Sequence, residues 1–479
     1  MTPTRQAGGK PRLPYMARRR KQNRIPTPVC PMSQDPTAFL HDNPQIKSIR
    51  MVAADLNGQA RGKRVARRFA GKAMTDGTRF PYSVLNLDIW GEDIDDSPLV
   101  FEAGDPDGIL YPTARGPVPV PWLDTPTAIV PIWMFHDDGS AYMGDPRHAL
   151  ARVIDRYTAR GLTPVVATEL EFYIIDDRGR ELRVPPSPRS GIRRQQAEIL
   201  ALRQLDAFDT FLTALYDGCE AMDIPADTMI SEAGPGQFEI NMDHQADAMK
   251  AADDAWLFKL LTRGLARSYG FAASFMAKPY PDYAGNGLHT HFSVLDADGH
   301  NIFDNGTDDG SDVLHHAVAG CLKAMPGSML IFAPHASSYD RFVDGAHAPT
   351  AAAWAYENRT TALRIPGGAP AARRIEHRVA GGDINPYLFL AAVLGAALDG
   401  IEQGTTPPPA ITGSAYGADL PQLPQTWSDA LAAFDESPEI KRIFASELRE
   451  TFLATKRQEL RYMADLSPEE QQELYLDTV

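Results

Sequence analysis

Residues 165–175 read VVATELEFYII, and their side chains divide by parity. A β-strand sends residues of equal parity to one face, so Val166, Leu170, Phe172 and Ile174 take one side and Glu169 and Glu171 stand together on the other. Such a strand caps a core with its apolar side and must find a partner for two neighbouring carboxylates on the other.

The division recurs three times. In QFEINM (237–242), Gln237, Glu239 and Asn241 oppose Phe238, Ile240 and Met242, with Glu232 just upstream in SEAGPGQ. In LHTHFSV (288–294), His289, His291 and Ser293 oppose Leu288, Thr290, Phe292 and Val294, and in RRIEHRV (373–379), Arg374, Glu376 and Arg378 oppose Ile375 and Val379. Taken singly, each is the pattern of an antiparallel strand with a solvated outer face. Together they carry Glu, His and Arg among Gly234, Gly236, Gly285 and Gly287, where solvated faces carry Lys, Thr and Ser. If the strands adjoin, the carboxylates repel unless a cation sits among them. Oxygen ligands with at most one imidazole favour Mg2+ or Mn2+ over zinc. Arginines, joined by Arg341, Arg359 and Arg364, suit phosphate and carboxylate groups. Metal, arginine and carboxylate together point to phosphoryl transfer from a nucleotide. No GxxxxGK[ST] loop and no Rossmann fingerprint after a strand is present, so the nucleotide is held in another way.

The rest of the chain bounds this reading. Its 479 residues accommodate two or three domains of ordinary globular composition. With 47 Lys and Arg against 62 Asp and Glu, the net charge of −15 disfavours binding to nucleic acid or anionic lipid. Cys30, Cys219 and Cys321 are too few and too scattered for a disulfide framework or a zinc motif, which fits a reducing, cytoplasmic setting. The longest apolar run, 387–398, is shorter than the roughly 20 residues of a membrane-spanning helix. Residues 1–37, rich in Lys, Arg and Pro, are expected to form a solvated, disordered arm, or to lie upstream of a start at Met32.

Residues 46–56, Asn57-Gly58 and residues 59–65 form a hairpin signature. The short segments that follow suggest a small β-rich unit over 38–143. At Gly144-Asp145-Pro146, Asp145 suits a helix cap and Pro146 the first turn, which sets a boundary before a second unit over 144–479. There, helices are expected at 206–222, 246–269, 314–325, 386–403 and 440–462, alternating with short strands.

The segments ELEFY, SEAGPGQFEIN, FMAKP, GNGLHTHFS, NRTTALRIP and RRIEHRVAGGDINPY resemble the glutamine synthetase family in order and spacing, from about Pro44 to the C-terminus. Through DLNGQARGKR, VVATELEFY and FMAKPYPDYAGNGLH the chain looks most similar to the γ-glutamylputrescine and γ-glutamylpolyamine synthetases of that family. The resemblance implies an α+β fold. A small β-grasp-like N-terminal domain would precede a large catalytic domain with a curved antiparallel sheet flanked by helices, assembled as a dodecamer of two hexameric rings. It implies two divalent metals, one held by Glu171, Glu232 and Glu239 and the other by Glu169, His289 and Glu376. Gly285, Arg341 and Arg378 would bind glutamate; His291, Ser293, Arg364 and Arg374 would serve ATP, with Arg359 reaching the transferred phosphoryl group. The implied reaction is attack of the glutamate γ-carboxylate on the ATP γ-phosphate, then displacement of phosphate by an amine.

The departures from that pattern concern the amine. Where the family's mobile flap carries a glutamate that handles ammonium, this chain reads RFVDGAHAP, with His347 at that position; Leu200 is nearest in register to an expected tyrosine. His347 would accept the amine's proton, as imidazole side chains can near neutral pH; its other reading is a surface histidine on a Gly/Pro-rich loop. The run Glu92, Asp93, Asp95, Asp96 would attract the far ammonium of a diamine, or else is a solvated loop, and Asp88 is a candidate for the family's ammonium-binding aspartate. The segment used for regulatory adenylylation is not found around Tyr416. The sequence therefore favours a glutamate–amine ligase over a glutamine synthetase using ammonium, a non-catalytic relative or a phosphagen-type kinase.

Overall fold

The computed structural model describes residues 36–479 apart from 96, 179–182, 194, 195, 197 and 344. The basic arm up to residue 35, Cys30 and Asp96 thus lie outside the described residues.

Strands β1 (Ser48–Ala54), β2 (Ala60–Ala66), β3 (Thr78–Pro81), β4 (Asp107–Pro112), β5 (Val118–Pro119) and β6 (Thr127–Phe135) build one sheet in the order β2-β1-β6-β4-β3, with β5 beside β6. The Asn57-Gly58 turn joins β1 to β2 as the hairpin signature requires, Gly58 taking φ 75°. β1 runs parallel to β6 at the sheet's centre, which obliges the chain to cross over; helix Arg67–Asp76 does so and inserts Ala70 and Met74 among Ile49, Met51, Val130 and Met134. This is the β-grasp arrangement.

A second, larger sheet is made of β7 (Thr163–Ile175), β8 (Ala226–Ser231), β9 (Gln237–Met242), β10 (Ala272–Ser274), β11 (Leu288–Leu295), β12 (Trp354–Tyr356), β13 (Leu363–Ile365) and β14 (Ile375–His377), ordered β12-β13-β14-β11-β7-β9-β8 with β10 against β7. Every pairing is antiparallel except β12 with β13. Val166, Leu170, Phe172 and Ile174 are fully buried, as are Ile240, Leu288, Phe292 and Val294. They meet helix Ala248–Ser268, whose Leu257, Phe258 and Leu261 share the same core. Burying one sheet face in this way leaves the other for polar side chains.

Asp145 accepts from the Arg147 N–H and caps helix Pro146–Thr158, as its position before a proline predicts. Helix Pro386–Gln403 has the expected bounds and ends at Gly404 in the left-handed region. Other elements differ from expectation. The helix expected over 314–325 is Asp312–Phe332 and passes through Pro326, because burial of Met329, Leu330, Ile331 and Phe332 outweighs the lost backbone bond. The span 206–222 holds two helices, Leu202–Ala207 and Asp209–Ala221, and 440–462 is broken at Phe444, which is extended between Pro438–Ile443 and Ser446–Met463. Periodicity persists across a break of one or two residues, so pattern alone merges such pairs.

The two sheets are tied together by polar contacts. Asn385 caps helix Pro386–Gln403 and donates to the Asp55 carbonyl at 2.8 Å, and the Trp256 indole donates to the Gly58 carbonyl at 2.9 Å, so the hairpin turn rests on two helices of the larger unit. Among the described residues no helix is long and apolar enough to cross a membrane. Cys219 and Cys321 are buried and free.

Candidate active site

Antiparallel registry brings the acidic and basic side chains of four strands into one field. Glu169 of β7 lies opposite His289 of β11 on one side and Asn241 of β9 on the other; Glu171 lies opposite Glu239. Further along, His291 faces Glu376 of β14, and Glu376 faces Arg364 of β13. Glu232 follows β8 in a turn closed by its N–H to the Gln237 carbonyl at 3.0 Å.

That turn needs glycine at 234: a Cβ there would fall 1.7 Å from the Tyr173 hydroxyl oxygen. The close approach lets Gln237 accept from the Gly234 N–H and donate to Gly285 O and Asn286 Oδ1, each at 2.9 Å. One buried amide therefore fixes the Glu232 turn relative to the Gly285 loop.

Ligand atoms of Glu169, His289 and Glu376 lie within 4.8 Å of one another, and so do those of Glu171, Glu239 and His289. The two groups share His289 and sit side by side. Their charges are unevenly compensated. Glu169 receives His289 Nδ1 at 3.2 Å and His291 Nε2 at 2.9 Å. Burial raises its pKa, but those hydrogen bonds and the imidazoles' charge outweigh it and hold the carboxyl well below its usual range. Glu376 is fully buried, accepting from Arg364 at 2.7 Å and, more closely, from Arg378. Among the described residues Glu239, which accepts from the Asn241 amide at 2.8 Å, has no cation paired with it. Burial first, and then the charges of Glu171 and Glu169, push it up to about 9; burial and Glu171 push Glu232 up to about 7. A divalent cation among these oxygens would relieve that repulsion, and the donor set of carboxylates with one imidazole suits a hard ion. The residues present thus fit the metals the fold implies.

The arginines surround this field. Arg374 Nε donates to His291 Nδ1 at 3.2 Å, and Arg341, buried, donates to the Val379 carbonyl at 2.7 Å. Arg341 also lies against Gly285, where an added Cβ would sit 2.9 Å from Arg341 Cγ. Arg359 is exposed at the rim, with its charge felt by Glu232. Ser293 is half-buried on β11, two residues beyond His291.

His347 is exposed on the loop after Arg341, with φ 57°. Leu200 is also left-handed at φ 58° and exposed, its N–H held by the Ser231 carbonyl at 2.8 Å beside Glu232. Asp88 is buried and committed to its own turn through the N–H groups of Trp90 and Glu92, and to Gln458. Glu92, Asp93 and Asp95 are exposed.

Three participants escaped the sequence reading. Glu357, left-handed at φ 51°, accepts from Arg364 at 3.4 Å and from the Gly367 N–H. Ser338 and Asp383 form a buried hydrogen bond behind Arg341. Ser338 and Asp383 were signalled only by their place within SSYDRF and GGDINPY.

A sheet face bearing two adjoining carboxylate groups, ringed by arginines, defines an enzyme that works on phosphoryl and carboxylate groups. Residues 143–475 match the model of the glutamine synthetase catalytic domain. The chain is 35% identical over 438 residues to the γ-glutamylputrescine synthetase of Escherichia coli, covering 89% of this chain and 91% of that protein. It is 32% identical to the γ-glutamylethanolamide synthetase of Streptomyces coelicolor, over 84% of this chain and 87% of the relative. Among solved structures, a GmaS/ADP complex superposes with a TM-score of 0.79 at 26% identity, covering 92% of this chain and 99% of the other. The chain belongs to the glutamine synthetase family.

Proposed function

We propose that this chain is an ATP-dependent ligase that joins the γ-carboxylate of L-glutamate to an organic amine, an alkylamine, a diamine such as putrescine or a polyamine. The observation that carries the proposal is the adjoining pair of ligand groups Glu169, His289, Glu376 and Glu171, Glu239, His289, paired with no lysine among the described residues and ringed by Arg341, Arg364, Arg374 and Arg378; Glu232 stands outside both groups. Similarity to proteins named for putrescine and ethanolamine supports an organic amine over ammonium.

In this reading the boundary between the two units falls between residues 143 and 144, and the protein works in the cytoplasm as a dodecamer. Glu171, Glu232 and Glu239 would hold one Mg2+ or Mn2+, and Glu169, His289 and Glu376 a second. Bound there, the ions would neutralise polyphosphate charge and polarise the transferred phosphoryl group. Gly285, Arg341 and Arg378 hold glutamate so that a γ-carboxylate oxygen meets the ATP γ-phosphorus. His291, Ser293, Arg364 and Arg374 hold the nucleotide, and exposed Arg359 closes over the phosphoryl group as charge develops. ADP leaves, and the amine nitrogen displaces phosphate from the γ-glutamyl phosphate. The nitrogen must then lose a proton, which His347 on its exposed loop accepts.

The test is glutamate-dependent phosphate release from ATP with Mg2+, comparing ammonium, ethylamine, putrescine and spermidine, with products identified by mass. Preferential γ-glutamylamide formation from an organic amine is expected. Preference for ammonium would make the protein a glutamine synthetase with an altered flap, and no turnover with any amine would remove the ligase reading.

A further inference from the structure

Away from the carboxylate field, a cleft of about 530 Å³ opens between the outer face of β1 and β2 and helix Ala248–Ser268. Registry places Arg50 of β1 directly opposite Arg64 of β2 on this face, since their neighbours Ile49 and Met51 point into the core. Arg263 enters from the helix, Trp122 forms one wall, and Gly62 keeps the floor low. Among the described residues no carboxylate lines the cleft, in a chain whose net charge is −15.

The three guanidiniums make no ion pair among the described residues. Arg64 spends only its Nε, on the Ser48 hydroxyl at 3.0 Å. Arg263 Nη2 is fully buried without any hydrogen-bond partner. Behind it Lys259, one turn earlier on the same helix, is buried as well, and both cations lie over the Phe275 ring, at 5.4 and 5.6 Å from its centroid. Leaving a buried guanidinium nitrogen unpaired costs roughly 1–3 kcal/mol or more. Three convergent cations without counter-charge are the donor set that bidentate oxyanion recognition uses.

We propose that this cleft is a second anion site, distinct from the carboxylate field, that takes a phosphate group, either free or carried by a nucleotide, on Arg50, Arg64 and Arg263. Burial holds Arg263 at about 10 with no carboxylate to counter it, and burial with the charge of Arg263 brings Lys259 down to about 7. An arriving oxyanion relieves both. The site joins the hairpin β1–β2 to the helix beneath the catalytic sheet, so its occupant tightens the contact between the two units.

The full-length protein, freed of divalent metal with a chelator, is heated with increasing inorganic phosphate or ADP at constant ionic strength set by NaCl. Phosphate should raise Tm in the wild type and equally in Arg364→Met, which alters only the carboxylate field. Arg263→Met should lose that response, the apparent Kd rising at least about tenfold. Arg50→Gln should lose it as well and serves where Arg263→Met does not fold. In the Arg364→Met background, equal shifts with ADP and phosphate assign the site to the phosphate group alone; a larger shift with ADP that Arg263→Met abolishes adds stacking of the base on Trp122. A response kept in Arg263→Met and Arg50→Gln but lost in Arg364→Met overturns the proposal. So does a phosphate-independent change of molar mass in Arg263→Met, measured by light scattering, which would make the cleft a contact between copies of the chain.

Discussion

The Ser338 hydroxyl donates to Asp383 Oδ2 at 2.5 Å, and Ser338 belongs to the same short helix, Ala336–Arg341, as Arg341. Asp383 is fully enclosed and lies two residues before the Asn385 cap of helix Pro386–Gln403. One carboxylate thus anchors the segment carrying a proposed glutamate ligand to the start of a rigid helix.

Loosening that anchor should act on glutamate and spare ATP. Ser338→Ala and Asp383→Ala are expected to raise KM for glutamate about tenfold or more, with a small change in KM for ATP, since misplacing a binding group by a fraction of an ångström is enough. Asp383→Asn keeps an acceptor oxygen and should recover part of the loss. Equal effects on both substrates in steady-state kinetics would reduce the pair to a general structural role.

Metal removal should reverse the pH dependence of stability. With Glu232 raised to about 7 and Glu239 to about 9, the metal-free folded state binds more protons than the unfolded chain from the ordinary carboxylate range up through those values. Raised folded pKa values favour the folded state at low pH, so Tm of the chelated protein should fall from about pH 5 to pH 9. Metal requires both carboxylates deprotonated, so its affinity should rise over the same range and binding should release protons. Calorimetric titrations in buffers of different ionisation enthalpy measure that release; a zero count would mean both groups are already ionised.

Gly287 lies where the two carboxylate groups meet. Its N–H donates to Glu171 Oε2 at 2.6 Å, and an added Cβ would fall 2.8 Å from His289 Nε2 and 3.0 Å from Arg341 Nη2. Gly287→Ala should keep the fold, because flexible side-chain ends yield more easily than backbone, while displacing the shared imidazole. Metal affinity is expected to fall about tenfold or more, in the range of changes that misorient a ligand. Unaltered Mg2+ titrations in this variant would mean that His289 does not bridge the two groups.

The faces of the second sheet were legible because each strand is apolar on one side only, so parity sorts Glu169 and Glu171 from Leu170 and Phe172 without knowledge of the neighbours. The pairing partners were not legible: that Glu171 meets Glu239 and Glu376 meets His291 depends on register across loops of tens of residues. Family motifs supplied that order. The Asn57-Gly58 hairpin was legible, but the crossover helix Arg67–Asp76 was not expected and the β-grasp arrangement came from the family resemblance; Glu357 gave no sign, being an exposed residue in a left-handed bend. Leu200 and His347 share that conformation, which no local pattern foretells for a residue other than glycine or asparagine. The Arg50–Arg64 cleft was invisible for a related reason: the two arginines become neighbours only through the hairpin register, and Arg263 comes from a distant helix.

Lys456 and Glu459, one turn apart on helix Ser446–Met463, are both fully enclosed and pair at 2.8 Å. Glu459 also accepts from Asn57 Nδ2 and from the Ile89 N–H, each at 2.8 Å, and Lys456 donates to Asn57 Oδ1. Helix Ser446–Met463 is thereby bonded to the turn of the β1–β2 hairpin and to the segment after β3. Removing one member strands the other without solvent. Lys456→Met should therefore cost about 3–5 kcal/mol, whereas the double variant Lys456→Met/Glu459→Leu, which removes both charges, should cost markedly less. The coupling is read from a double-mutant cycle by chemical denaturation. Asn57 and Ile89 lose a partner in the double variant, so part of the penalty stays, about 0.5–1.5 kcal/mol for each bond. Additive costs would mean that the two charges are solvated separately and that the hairpin turn is held by Asn385 and Trp256 alone.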